Sequence, residues 1–102
     1  MIEIEKIDLT KIDEKNGYIF ESKILKDELL IYFKDDKYYA VSSFCPHFGG
    51  PLEFAKNEIK CYWHGWKFDL KSHKCKNRQV NCKLKDYKIV IKKNILEISN
   101  GN

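Results

Sequence analysis

The stretches Cys45-Pro46-His47-Phe48-Gly49-Gly50-Pro51-Leu52 and Cys61-Tyr62-Trp63-His64-Gly65-Trp66-Lys67-Phe68-Asp69 decide how this 102-residue chain is read. Each opens with a thiol, followed within three residues by an imidazole, and thirteen residues separate His47 from Cys61. Each then runs at once into glycine and aromatic side chains. Two Cys and two His supplied by two loops make a four-ligand metal site, with Cys45, His47, Cys61 and His64 as its ligands.

The sequence around these loops has the period of strands. Ile2, Ile4 and, less regularly, Ile7 alternate with charged residues. Tyr18 to Ser22 follows a turn at Gly17. Leu29 to Lys34 and Tyr38 to Ser42 flank Asp35-Asp36, a tight hairpin turn. Tyr87 to Ile91 and Ile95 to Ile98 flank Lys92-Lys93-Asn94, a second hairpin. Leu9 to Glu14 is the one segment read as a short helix or turn. Tyr39-Ala40-Val41 feeds the first ligand loop and Ile59-Lys60 the second, so a rigid sheet holds both loops. Short strands with frequent turns predict an all-β chain, an antiparallel sandwich or barrel.

At 102 residues, 43% hydrophobic and 33% charged, the chain has the size and composition of one ordered domain spanning 1–102. Its longest apolar run, Leu29-Leu30-Ile31-Tyr32-Phe33, is far too short to span a bilayer, so no membrane association is expected. The start Met1-Ile2-Glu3-Ile4-Glu5-Lys6 lacks the pattern of a signal peptide, which makes a cytoplasmic location the expectation. In that compartment four cysteines point to a metal before disulfides. Charge is uneven, with net −3 over residues 1–50 and +7 over 51–102. No compact arginine patch or helical basic stripe accompanies the excess, so a nucleic-acid partner is not expected. A solvated lysine-rich surface or a docking face for an acidic partner accounts for it.

Zinc is the first metal to weigh. Structural zinc sites usually leave about two to four residues between paired Cys and about three to five between paired His. Here each pair is mixed, and only Pro46 lies between Cys45 and His47. A zinc-stabilised binding module therefore fits poorly. A binuclear iron–sulfur cluster in which two His replace two Cys on one iron makes mixed pairs a requirement, because each loop then gives one ligand to each metal. Two ferric ions, two sulfides and two thiolates sum to zero charge, which makes adding an electron easier than with four thiolates. Gly49, Gly50 and Gly65 let backbone N–H groups approach the sulfurs without a Cβ in the way.

With these flanks in place, the chain resembles Rieske ferredoxins and the Rieske domains of ring-hydroxylating oxygenases over essentially its whole length. The resemblance implies an antiparallel β-sandwich carrying a small cluster-binding subdomain of two ligand loops. It implies one [2Fe-2S] cluster, with Cys45 and Cys61 on the inner iron and His47 and His64 on the outer. High-potential members of the family place a disulfide at the positions matching Gly50 and Trp63, and sulfur-directed Ser and Tyr hydroxyls at those matching Trp66 and Phe68. This chain has none of these, which implies a potential toward the lower end of the roughly −150 to +300 mV range. The thirteen residues between His47 and Cys61 are fewer than is usual, so the turn around Glu53 to Glu58 is trimmed. A proline-bearing covering loop is not recognisable, and Asn77-Arg78-Gln79-Val80 stands in that region.

The implied function is one-electron transfer from a flavoprotein or other reductase to a terminal oxygenase or other oxidoreductase, without catalysis by the chain itself. A small Rieske subunit of a larger reductase complex is the alternative. Oxygenase chemistry needs a further iron held by two His and a carboxylate. Only His73 is left over, so that site cannot be built. His73 reads as part of an exposed polar turn, and Cys75 and Cys82 as small buried hydrophobes. Trp66 and Phe68 share one strand face by period two. Lysines 56, 60, 67, 71, 74 and 76 form a candidate docking rim.

Overall fold

The computed structural model describes residues 3–44, 50–55, 58–61, 66–76 and 83–99. Ten strands follow one another among them: β1 Ile4–Asp8, β2 Tyr18–Ser22, β3 Asp27–Lys34, β4 Lys37–Ser42, β5 Leu52–Ala55, β6 Glu58–Cys61, β7 Lys67–Phe68, β8 Asp86–Tyr87, β9 Ile89–Lys92 and β10 Ile95–Ser99. A 3₁₀ turn, Leu9–Lys11, is capped by the Asp8 carboxylate on the Thr10 amide. All strand pairs are antiparallel, in three sheets ordered β1-β10-β9, β2-β3-β4-β8 and β5-β6-β7. Among the described residues no helix is long and apolar enough to cross a membrane.

The four-stranded sheet lies between two cores, and this explains the unbroken apolar run in β3. Leu29 and Ile31, with Ala40 of β4, pack against Ile7, Leu96 and Ile98 of the β1-β10-β9 sheet. Leu30 and Tyr32, with Val41 of β4, pack against Leu52, Phe54, Ile59, Cys61 and Phe68 of the β5-β6-β7 sheet. Successive residues point to opposite faces, so a strand covered on both sides cannot alternate with polar residues. Leu29, Leu30, Ile31 and Tyr32 are all fully buried.

Local chemistry sets the turns. Asp35 and Asp36 both have positive φ, 51° and 65°, and Lys34 pairs with Lys37 across them. Two consecutive left-handed residues make the mirror-image turn that matches strand twist, and Asp tolerates it better than most residues. The second hairpin is tighter than its sequence suggests, because Ile95 pairs with Lys92 across only Lys93 and Asn94. The run Tyr87 to Ile91 is not one strand. Asp86–Tyr87 joins β4, and after Lys88 the chain enters the other sheet as β9 beside β10.

Gly17 has φ +72°, and a Cβ there would sit 2.8 Å from the Ile31 carbonyl oxygen. Left-handed backbone costs a non-glycine residue about 1–2 kcal/mol, and the clash with backbone adds to it. Gly17→Ala is expected to lower unfolding free energy by about 2 kcal/mol or more. Urea denaturation reads this directly, and an unchanged midpoint would contradict the placement of this turn.

Candidate metal centre

The β5-β6-β7 sheet brings the bases of both ligand loops to one end. β4 runs out through Ser43 and Phe44, and Phe44 bridges back to Pro51 across the first loop. The Leu52 amide donates to the Ser43 carbonyl at 2.8 Å, which closes that loop at its foot. Leu52 in turn pairs directly with Cys61. The Cys61 amide donates to the Trp66 carbonyl at 2.7 Å and closes the second loop. The described feet of the two loops, Ser43 to Leu52 on one side and Cys61 to Trp66 on the other, therefore meet at the Leu52–Cys61 pair.

Of the four expected ligands, Cys61 is a described residue, while Cys45, His47 and His64 lie outside the described set. Cys61 ends β6 with no solvent exposure, and its core neighbours Leu52, Phe54, Ile59, Trp66 and Phe68 are apolar. A buried sulfur donor at the foot of one loop, directly paired to the foot of a loop holding another Cys–His pair, fits a cluster clamped between them. Trp66 and Phe68 are both buried, in agreement with a shared inward face. Ala55 pairs with Glu58, so two positions separate β5 from β6.

The loop feet are fastened by side chains that sequence patterns do not single out. Ser42 donates to Asp27 at 3.3 Å and Ser43 to Glu28 at 3.0 Å, tying the exit of β4 to the start of β3. The Tyr87 hydroxyl donates to the same Asp27 at 2.6 Å. Burial, and then the bond to Asp27, push that hydroxyl well above the usual tyrosine range. Beyond β7, Asp69 accepts from the Lys71 and Ser72 amides at 2.9 and 2.7 Å, and these bonds hold its carboxyl below the ordinary range.

His73 corrects the sequence reading. Its side chain is not exposed in a polar turn but buried, with 3% of its surface accessible. Nδ1 lies 3.0 Å from the Asp86 carboxylate and Nε2 2.7 Å from the Tyr32 hydroxyl, and the ring meets Tyr32 and Tyr39 edge-on. Burial works against the Asp86 charge, yet the His73 bond and nearby Lys83 keep its carboxyl below the usual range. The partners come from β3 and β8, distant in sequence, and no local pattern announces them. Cys75 is half-buried, packs on the same core and bridges to Phe68, whereas Cys82 and the segment 77–80 lie outside the described residues. Within the candidate lysine rim, Lys67 pairs with Glu58 at 3.4 Å and Lys71 with Asp35 at 2.9 Å.

Known proteins share this architecture. The ferredoxin of carbazole 1,9a-dioxygenase from Nocardioides aromaticivorans IC177 superposes with a TM-score of 0.74 at 20% identity, over 90% of this chain and 91% of that one. The Sphingomonas yanoikuyae B1 ferredoxin gives 0.71 at 18% identity, over 89% and 91%. A protein described as an NADH-dependent nitrite reductase small subunit from Mycobacterium tuberculosis gives 0.73 at 11% identity, over 100% and 98%. No curated protein sequence matches the chain significantly. The model of the Rieske [2Fe-2S] domain matches residues 6–88, a span that contains both ligand loops, the sheet that carries them and most of the two cores. The chain therefore belongs to the Rieske [2Fe-2S] domain family, whose cofactor is one [2Fe-2S] cluster.

Proposed function

We propose that this protein is a one-electron carrier that holds its cluster through Cys45, His47, Cys61 and His64. It takes an electron from a flavoprotein or other reductase and passes it to a terminal oxygenase or another oxidoreductase. The observation that carries this reading is the pairing of Leu52 with Cys61, which sets the feet of the two Cys–His loops side by side. When bound, the cluster supplies a one-electron couple. The chain's own part is to hold it rigidly, since a scaffold packed on both faces of β3 has little freedom to rearrange. Its apolar floor of Phe54, Ile59, Trp66 and Phe68 excludes water from the inner side.

The potential belongs toward the lower end of the family range, because Phe68 offers no hydrogen-bond donor and Trp66 offers an indole N–H in place of a hydroxyl. Fewer donors leave the more negative reduced state less stabilised. A soluble carrier with transient partners is the reading favoured by the similar ferredoxin chains, each matched over about its full length. A second reading, a small subunit of a larger reductase, is favoured by the full-length match to the nitrite reductase small subunit. Gentle purification from the native host separates the two. A lone chain that accepts electrons from an added reductase supports the carrier, and stable copurification with a large flavoprotein supports the subunit.

A further inference from the structure

We propose that His73 is a positioning residue for the second ligand loop, held as a doubly protonated imidazolium between Tyr32 and Asp86. Its role toward that loop rests on the ligand assignment above; its protonation rests on geometry alone.

The donor count fixes the ring's state. A tyrosine hydroxyl has one hydrogen to give. The Tyr32 hydroxyl lies 2.5 Å from the Leu70 carbonyl oxygen and 2.7 Å from His73 Nε2. At that oxygen–oxygen separation a hydrogen must lie between them, or lone pairs would face one another at contact. The hydroxyl hydrogen is thus committed to Leu70, and Nε2 must donate to the phenol oxygen. Nδ1 faces the Asp86 carboxylate at 3.0 Å, which only accepts while ionised. Both nitrogens therefore carry hydrogen. Tyr32, Tyr39 and Asp86 face the ring, Lys83 Nζ stands 3.6 Å from the same Asp86 oxygen, and Asp69 is occupied by amides of its own turn.

Backbone placement makes this ring a brace. His73 has φ +65°, a left-handed conformation uncommon outside glycine, and its side-chain contacts help to hold it there. Its amide donates to the Asp69 carbonyl, and its own carbonyl accepts from Leu84. Two residues on, Cys75 bridges to Phe68, and three on, the Lys76 amide donates to the Lys67 carbonyl of β7 at 2.8 Å. β7 begins next to Trp66, whose carbonyl closes the second loop on Cys61. One imidazolium thus ties β3 and β8 of the central sheet to the turn that carries β7 and the exit of that loop.

The test uses the ¹⁵N-labelled holoprotein. Two-bond ¹H–¹⁵N correlation at neutral pH should show both His73 nitrogens protonated, and one bare nitrogen would overturn the assignment. Amide hydrogen exchange in His73→Gly, which suits the left-handed backbone but removes the ring, should quicken about tenfold or more at Lys76 and Cys61. That is the loss expected for a charge-assisted hydrogen bond. The amides of Leu96 and Ile98 in the far sheet should keep their rates. Unchanged exchange at Lys76 and Cys61 would remove the brace. Should the glycine variant not fold, Tyr32→Phe breaks the same link and gives the same readout. Neither measurement depends on which residues ligate the cluster, so a failed ligand assignment leaves both results standing.

Discussion

Replacing His64 by Cys should lower the reduction potential by at least about 200 mV, from the Rieske range toward the roughly −400 mV of all-thiolate [2Fe-2S] ferredoxins. The substitution puts a thiolate where a neutral imidazole stood, so the cluster gains one negative charge in both redox states. Adding an electron to that more negative core costs more. Film voltammetry on a variant shown to carry a full complement of iron and sulfide gives the shift. An unchanged potential in an assembled variant would mean that His64 is not a ligand.

The second large effect is on the core between the central sheet and the β5-β6-β7 sheet. Phe54→Ala should cost about 3–5 kcal/mol, the usual range for emptying a buried phenylalanine site. Phe54 is 2% exposed on β5 and stacks on Tyr32 with ring centroids 5.0 Å apart. Tyr32 stacks in turn on Tyr39, so the lost ring leaves a gap between two sheets that cannot easily close. Small domains have only about 5–15 kcal/mol of total stability, so this is a large share. The melting temperature should fall by about 12 °C or more on the scale of 4–8 °C per kcal/mol. Val90→Ala, at a site 52% exposed on β9, is the control and should stay within about 0.5 kcal/mol. Thermal melting followed by circular dichroism compares them, and equal shifts would place Phe54 outside the core.

Much of this architecture is legible in the chain because it rests on short-range signals. Asp35-Asp36 marks its hairpin through the backbone its side chains tolerate, and Gly17 marks a turn that a Cβ would obstruct. The run Leu29 to Phe33 reads as a strand, although only the structure shows why it does not alternate: a sheet covers each face. The two Cys–His loops reveal their chemistry through spacing and flanks. What escapes is whatever depends on distant partners. Tyr87 to Ile91 reads as one strand, yet it divides between two sheets at Lys88, because Tyr87 pairs with β4 and Ile89 to Ile91 with β10. His73 lies between lysines and looks solvent-facing. Its burial is set by Tyr32 and Asp86, respectively 41 and 13 residues away. Ser42 at the end of its strand and Ser43 just beyond it likewise give no sign in the sequence of their bonds to Asp27 and Glu28.

The most direct test of the account is low-temperature EPR of the dithionite-reduced protein, together with iron and acid-labile sulfide analysis. A Rieske cluster predicts two irons and two sulfides per chain. It also predicts a rhombic spectrum whose average g lies below that of all-thiolate [2Fe-2S] centres, because imidazoles replace thiolates on one iron. A colourless protein holding zinc without sulfide, or an EPR average g of the all-thiolate kind, would contradict it.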